Sequence, residues 1–245
     1  MNLSKLLLLS FLTLACFNAD GRMFNREQHS QKLDDEVSQV HIALAGIDGD
    51  GMTVSWSTPG DIRGVSSVRY GTSPGDLSTT AFGTASSYLE SYHHHVKLAE
   101  LKPSTQYYYI CGTYNDDGSF SSLSEEKSFT SAPAMESVQG DENWNFFAFG
   151  DLGLVNGEPT ADHISNVIHN NANVDGNDKP QLVWHSGDVG YADDSFIHYG
   201  CYTKFCYEEK YDEYMARAQD AWASSLPYMV APGNHEADCH SPACL

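Results

Sequence analysis

The hydrophobic pattern of this chain changes period once, and that change limits the fold more than any other feature. Val40, Ile42 and Leu44 alternate with Gln39, His41 and Ala43. After the turn Asp48-Gly49-Asp50-Gly51, Met52, Val54 and Trp56 alternate with Thr53 and Ser55. Val68 with Tyr70, Val96 with Leu98, and Tyr107, Tyr109 and Cys111 keep the same rhythm. A period of two sends one side of a strand into a core and the other outward, and Gly/Asp turns between such segments mark antiparallel neighbours. Beyond Asn143 the pattern differs. Apolar runs at Asn145–Phe149, Gln181–His185 and Pro227–Ala231 are separated by helical spacing at Thr160–Asn170 and Tyr211–Leu226. Strand, helix, strand, helix, strand dictates parallel strands with crossover helices. Ser131–Asp141, small, polar and acidic with Pro133, reads as the linker between the two patterns.

One local motif sharpens the first half. Leu101-Lys102-Pro103-Ser104-Thr105-Gln106-Tyr107 places a Pro-bearing turn before a Tyr whose hydroxyl returns to upstream backbone. This resembles the tyrosine corner of fibronectin type III-like sandwiches. The expected fold is therefore an all-β immunoglobulin/fibronectin-like sandwich over residues 37–133, followed by an α/β layer over residues 143–245. His93-His94-His95 invites a metal reading, but successive strand residues alternate faces and cannot converge on one ion. A partly packed or solvated run is expected instead.

Lys5, the apolar run Leu6–Leu14 and the small residues after it form a signal peptide over residues 1–19, with cleavage after Ala15 or Ala19. The run is too short to span a bilayer, so no membrane association is expected once it is removed. A net charge of -20 excludes nucleic acid, whose phosphates require Lys and Arg, and gives no attraction to anionic membranes. A phosphate site in so acidic a chain must obtain positive charge locally, and metal ions supply it. In an export pathway Cys201, Cys206, Cys239 and Cys244 are expected to pair among themselves as disulfides rather than to bind zinc. The destination is the extracellular space or an acidic exported compartment. The oligomeric state is left open by the sequence.

Each of the three apolar runs leads to a glycine followed by an oxygen donor: Gly150-Asp151-Leu152-Gly153, Gly187-Asp188-Val189-Gly190-Tyr191 and Gly233-Asn234-His235-Glu236. Gly-Asp pairs at Gly49, Gly60, Gly75 and Gly140 lack such a run and are expected in turns or linkers. Parallel strands bring their carboxyl ends to one edge, where ligands bind in open α/β folds. Asp151, Asp188 and Asn234 are therefore expected to converge although far apart in sequence.

The ordered series Gly-Asp-x-Gly, Gly-Asp-x-x-Tyr, Gly-Asn-His-Glu resembles that of the metallophosphoesterases, and Tyr191 narrows the resemblance to the purple acid phosphatases. Their N-terminal sandwich matches the first half of this chain. The resemblance implies an acid phosphatase acting on phosphate monoesters through a binuclear centre of Fe(III) and a divalent metal (Zn, Mn or Fe). It implies that Asp151 binds the first metal, Asp188 bridges both, Tyr191 binds ferric iron as phenolate and Asn234 binds the divalent ion. His235 would face the phosphate as hydrogen-bond donor or proton-transfer group. Two later family motifs, Val-x-x-His and Gly-His-x-His, have no counterpart here, so four of seven family ligands are present and an N-terminal fragment with a truncated catalytic domain is expected. Two alternatives belong to other classes: a metallophosphoesterase acting on phosphodiesters or nucleotides, and a non-enzymatic secreted binding module.

Overall fold

A computed structural model describes residues 37–47, 49–60, 64–88, 91–134, 145–155, 157–169, 179–194 and 206–237. The signal segment and Cys201, Cys239 and Cys244 lie outside these residues. Among the described residues, no helix is long and apolar enough to cross a membrane.

The alternating half forms two facing sheets. β1 (Ser38–Ala45), β2 (Gly51–Thr58), β5 (Thr84–Tyr88) and β6 (Ser91–Leu98) make one, in the order β1-β2-β6-β5. β3 (Val65–Gly71), β4 (Thr79–Phe82), β7 (Gln106–Tyr114) and β8 (Phe120–Ser121) make the other, in the order β4-β3-β7-β8, with β9 (Lys127–Thr130) also paired to β7. All these pairings are antiparallel. The inward residues named by the period-two pattern meet between the sheets: Val40, Ile42, Met52, Val54, Trp56, Val68, Val96, Leu98, Tyr107, Tyr109 and Cys111 form one buried cluster, completed by Leu101 and Phe129. The tyrosine corner is present, with the backbone N–H of Lys102 donating to the Tyr107 hydroxyl at 2.9 Å. Alternation also divides the histidine run. His94 is buried, stacked on Trp56 at 4.9 Å between ring centroids, and held by Thr58 and Ser66. His95 lies on the outer face beside Ser55.

The second half is a three-stranded parallel sheet, β10 (Asn145–Phe149), β11 (Pro180–His185) and β12 (Tyr228–Val230), in sequential order. Helix α1 (Glu158–His169) connects the first two strands. Helix α2 (Tyr207–Ala218), extended by one π-helical turn over Gln219–Ala223, precedes the third. Val183 and Tyr228 point to the same side of the sheet, where Ala161 and Ile164 of α1 and Tyr214, Ala218 and Trp222 pack on them. On the opposite side Trp184 remains half exposed.

The sandwich and the parallel sheet belong to one compact unit, Asp35–Leu245. A bulge in β1 joins them. Gln39 takes a left-handed backbone (φ 57°) and its side-chain amide donates to Asp212 Oδ1 of α2 at 2.7 Å. The next N–H, from Val40, donates to Gln219 Oε1 at 2.7 Å, and the Tyr109 hydroxyl donates to the Ser224 carbonyl at 2.7 Å. Ile42 even bridges Pro227 as a parallel strand partner. Cys206, just before α2, is disulfide-bonded to a partner outside the described residues, whereas Cys111 is a buried free thiol in the sandwich core.

Candidate metal centre

Because β10, β11 and β12 are parallel, the loops that follow them lie side by side. Backbone bonds carry the ladder past the strands: Ser186 N–H donates to the Phe149 carbonyl, Asp151 N–H to Gly187, Gly153 N–H to Val189, and Ala231 N–H to His185. Residues 150–153, 186–191 and 231–236 are thereby fixed at one edge.

Two of the motif glycines serve close approach. A Cβ on Gly187 would come within 2.7 Å of the backbone of Gly233, and a Cβ on Gly233 would collide with the backbone nitrogen and carboxylate of Asp188. The loops after β11 and β12 touch backbone to backbone, which only glycine permits.

The backbone conformation singles out three of the expected site residues. Asp151 (φ 54°), Asp188 (φ 51°) and Tyr191 (φ 49°) are left-handed. The other described non-glycine residues with positive φ, Gln39, Glu100, Ser104 and Ser122, all lie in the sandwich. A left-handed Tyr is rare, and such residues cost on the order of 1–3 kcal/mol each and gather at active sites and ligand clamps.

The side chains then meet. The Tyr191 hydroxyl donates to Asp151 Oδ1 at 2.9 Å, and its ring packs on His235 with centroids 4.3 Å apart. The backbone N–H of His235 donates to Asp188 Oδ1 at 3.1 Å. Asn234 opens the short helix α3 (Asn234–Ala237), its side chain exposed at the same edge. Desolvation, the bond to Asp151 and the charges of Asp151, Asp188 and Glu236 push the Tyr191 hydroxyl well above its ordinary pKa. Such an array keeps the phenol protonated until a cation neutralises the carboxylates. Carboxylate, phenol and amide oxygens suit hard cations, so the donor set fits the expected metals.

Three further residues belong here that the sequence reading did not assign. Asp193, in the 3₁₀ turn Ala192–Asp194, has Oδ2 2.6 Å from His235 Nδ1. Desolvation opposes the charged ring of His235, but that hydrogen bond and the charges of Asp193, Asp188 and Asp194 outweigh it and raise the pKa above 6.5. Asp193, Asp194 and His235 also offer ligand atoms within 4.8 Å of one another, a second donor group beside the first. Glu236 accepts backbone N–H groups from both neighbouring loops. Asp193-Asp194 trails Tyr191 by two residues, an acidic pair that sequence alone could have flagged. His185, the last residue of β11, is buried against the hydroxyls of Tyr214 and Tyr228 in a packing role.

An antiparallel sandwich leading into a parallel sheet, with Gly-Asp, Gly-Asp and Gly-Asn-His-Glu loops on one edge, defines a metallophosphoesterase-type protein with an accessory N-terminal domain. Residues 37–131 match the family described as the purple acid phosphatase N-terminal domain. The chain is 31% identical to purple acid phosphatase 15 of Arabidopsis thaliana over 83% of its own length and 41% of that protein's. It is 30% identical to a phosphoenolpyruvate phosphatase of Allium cepa over 82% and 36%, respectively. Its fold is similar to that of a solved purple acid phosphatase from yellow lupin (Lupinus luteus) seeds, with a TM-score of 0.62 at 22% identity, covering 82% of this chain and 36% of that one. Residues 37–131 thus belong to the purple acid phosphatase N-terminal domain family, the chain as a whole is similar to purple acid phosphatases, and it spans less than half the length of these curated relatives. These relatives imply, in general terms, a binuclear metal centre.

Proposed function

We propose that this chain carries the amino-terminal ligands and the phosphate-facing histidine of an acid phosphatase centre that hydrolyses phosphate monoesters. The observation that carries the reading is the left-handed backbone of Asp151, Asp188 and Tyr191, all at the carboxyl edge of the parallel sheet. Asp151 and Tyr191, already hydrogen-bonded, would hold Fe(III), with the phenolic proton lost on binding. Asp188 would bridge, and Asn234 would hold the divalent ion, Zn, Mn or Fe. When bound, such a pair of ions supplies the positive charge that clamps a phosphate and acidifies the attacking water.

His235 takes the acid role. Asp193 fixes its ring and favours its charged form, so the ring keeps a proton to donate to a phosphate or leaving-group oxygen in mild acid. The open edge, with Asp151 and Asn234 exposed, suits a substrate that enters from solvent. A leader over residues 1–19 would direct the protein outside the cell or to an acidic exported compartment. In a full-length phosphatase carrying this segment, Asp188→Asn should remove most metal and most turnover of an aryl phosphate. Tyr191→Phe should abolish the visible absorption of a ferric phenolate. An Asp188→Asn enzyme that keeps both metal and rate would refute the assignment.

A further inference from the structure

Glu236 is the last residue of the Gly-Asn-His-Glu tetrapeptide, and neither the ligand set nor the proton transfer above uses it. Its carboxylate nevertheless accepts from four donors at the sheet edge. Oε2 accepts from the N–H of Asp188 at 2.9 Å and from the N–H of Gly233 at 2.8 Å. Oε1 accepts from the N–H of Val189 at 2.8 Å, and the Tyr211 hydroxyl of α2 lies at 3.3 Å from the same oxygen. One side chain therefore joins the loop after β11, the loop after β12 and helix α2.

The geometry points to Glu236 as a positioning residue that sets Asp188 and Asn234 in register before any ion arrives. This rests on the ligand roles proposed above. The physical case has three parts. First, Ala237 N–H donates to the Gly233 carbonyl, which makes Gly233 the cap of α3 and Glu236 its third residue. A glutamate there returns to the cap N–H, as in half of a capping box, and so fixes Asn234 and His235 in the helix's first turn. Second, the same carboxylate takes the N–H of Asp188 itself. Asp188 is left-handed, a conformation that is unfavourable unless its surroundings impose it. A carboxylate accepting three backbone N–H groups is a charge-assisted restraint, roughly twice as strong per bond as a neutral one. Third, the glycine contact between Gly187 and Gly233 brings the two loops close enough for one carboxylate to reach both. His235 N–H then donates to the Asp188 carboxylate and aims it. Glutamine has the same shape but turns an amide N–H toward backbone donors, so it breaks one side of the clamp without opening a cavity.

The test uses the whole chain and two readouts from heteronuclear NMR: amide exchange, and the broadening of nearby amides as Mn²⁺ is titrated in. In the wild-type chain the amides of Asp188, Val189 and Gly233 should be protected, and Mn²⁺ should broaden residues around Asp151, Asp188, Tyr191 and Asn234. In Glu236→Gln those three amides should exchange faster, and the Mn²⁺ concentration for half-broadening should rise about ten- to hundredfold, the usual effect of losing a partner behind a metal ligand. Tyr107→Phe, which weakens only the sandwich, should leave both readouts unchanged and so controls for general destabilisation. Amides that stay protected in Glu236→Gln would overturn the clamp. Faster exchange with an unchanged Mn²⁺ titration would overturn the positioning role while leaving the ligand assignment intact. If Mn²⁺ fails to broaden this region in the wild type, the ligand assignment itself falls and the positioning role with it.

Discussion

His94 is 3% exposed inside the sandwich, with its ring flat against Trp56 and both nitrogens bonded to hydroxyls. Burial, with the charges of His93 and His95 adding to it, pulls its pKa from 6.5 down to about 4. Burial lowers His41 and His95 as well. A base with a depressed folded pKa is uncharged in the fold, so the unfolded chain takes up protons first. Stability should be full above about pH 6.5, fall as pH drops toward 4, and level off below that. His185, lowered to about 4 by desolvation, adds to this decline, whereas Asp212, raised chiefly by desolvation, and His235, raised against desolvation by its bond to Asp193, act in the opposite sense near their own titrations. Urea midpoints measured from pH 7.5 to 4 should show the decline, and His94→Gln should flatten it; an unchanged slope would contradict the account. Tyr107→Phe should lower stability by about 1 kcal/mol, because the Lys102 N–H loses its acceptor. Tyr108→Phe should cost less, since Tyr108 is half-buried on the other face. Equal losses in urea melts would mean that the strand register is wrong. At this scale the sequence disclosed donors but not conformations. Asp151 and Asp188 were legible because a strand precedes each. The left-handed backbone of Tyr191 was not, since propensity argues against it. Glu236 was unassigned because two of its partners lie 47 and 48 residues away.

Strands β1, β2, β3, β6 and β7 were legible because each buries alternate large side chains. β4, β5 and β8 were not. β5, Thr-Ala-Ser-Ser-Tyr, is exposed along its whole length and pairs with β6, which leaves no hydrophobic rhythm. The parallel order of β10, β11 and β12 followed from the intervening helices. The β1 bulge at Gln39 was illegible, because its reason is a partner on α2. That bulge bears on domain independence. We propose that residues 37–133 fold alone, since their core cluster is self-contained. Limited proteolysis should leave a resistant fragment ending near Pro133. In that fragment Gln39, Val40 and Tyr109 lose the partners supplied by Asp212, Gln219 and Ser224. Amide exchange of β1 should therefore be faster in the isolated sandwich than in the whole chain, and equal rates would show that the contacts to α2 and its π-turn add nothing.

For the whole molecule, the proposal assigns four ligands, Asp151, Asp188, Tyr191 and Asn234, which is fewer than two metals with fixed geometry require. A polypeptide of these 245 residues, refolded with iron and zinc, should be colourless and should not hydrolyse an aryl phosphate at an enzyme-like rate; a purple, active preparation would disprove that. The sheet edge offers two donor groups: the oxygens of Asp151, Asp188, Tyr191 and Asn234, and the trio Asp193, Asp194 and His235. The trio serves to orient His235, whose Nδ1 is already taken by Asp193. Anomalous diffraction from crystals of this chain soaked in Mn²⁺ separates the two. A peak should lie about 2.0–2.3 Å from oxygens of Asp188 and Asn234 or of Asp188 and Asp151. A peak bonded to Asp193, Asp194 and His235, with the other oxygens empty, would contradict that placement.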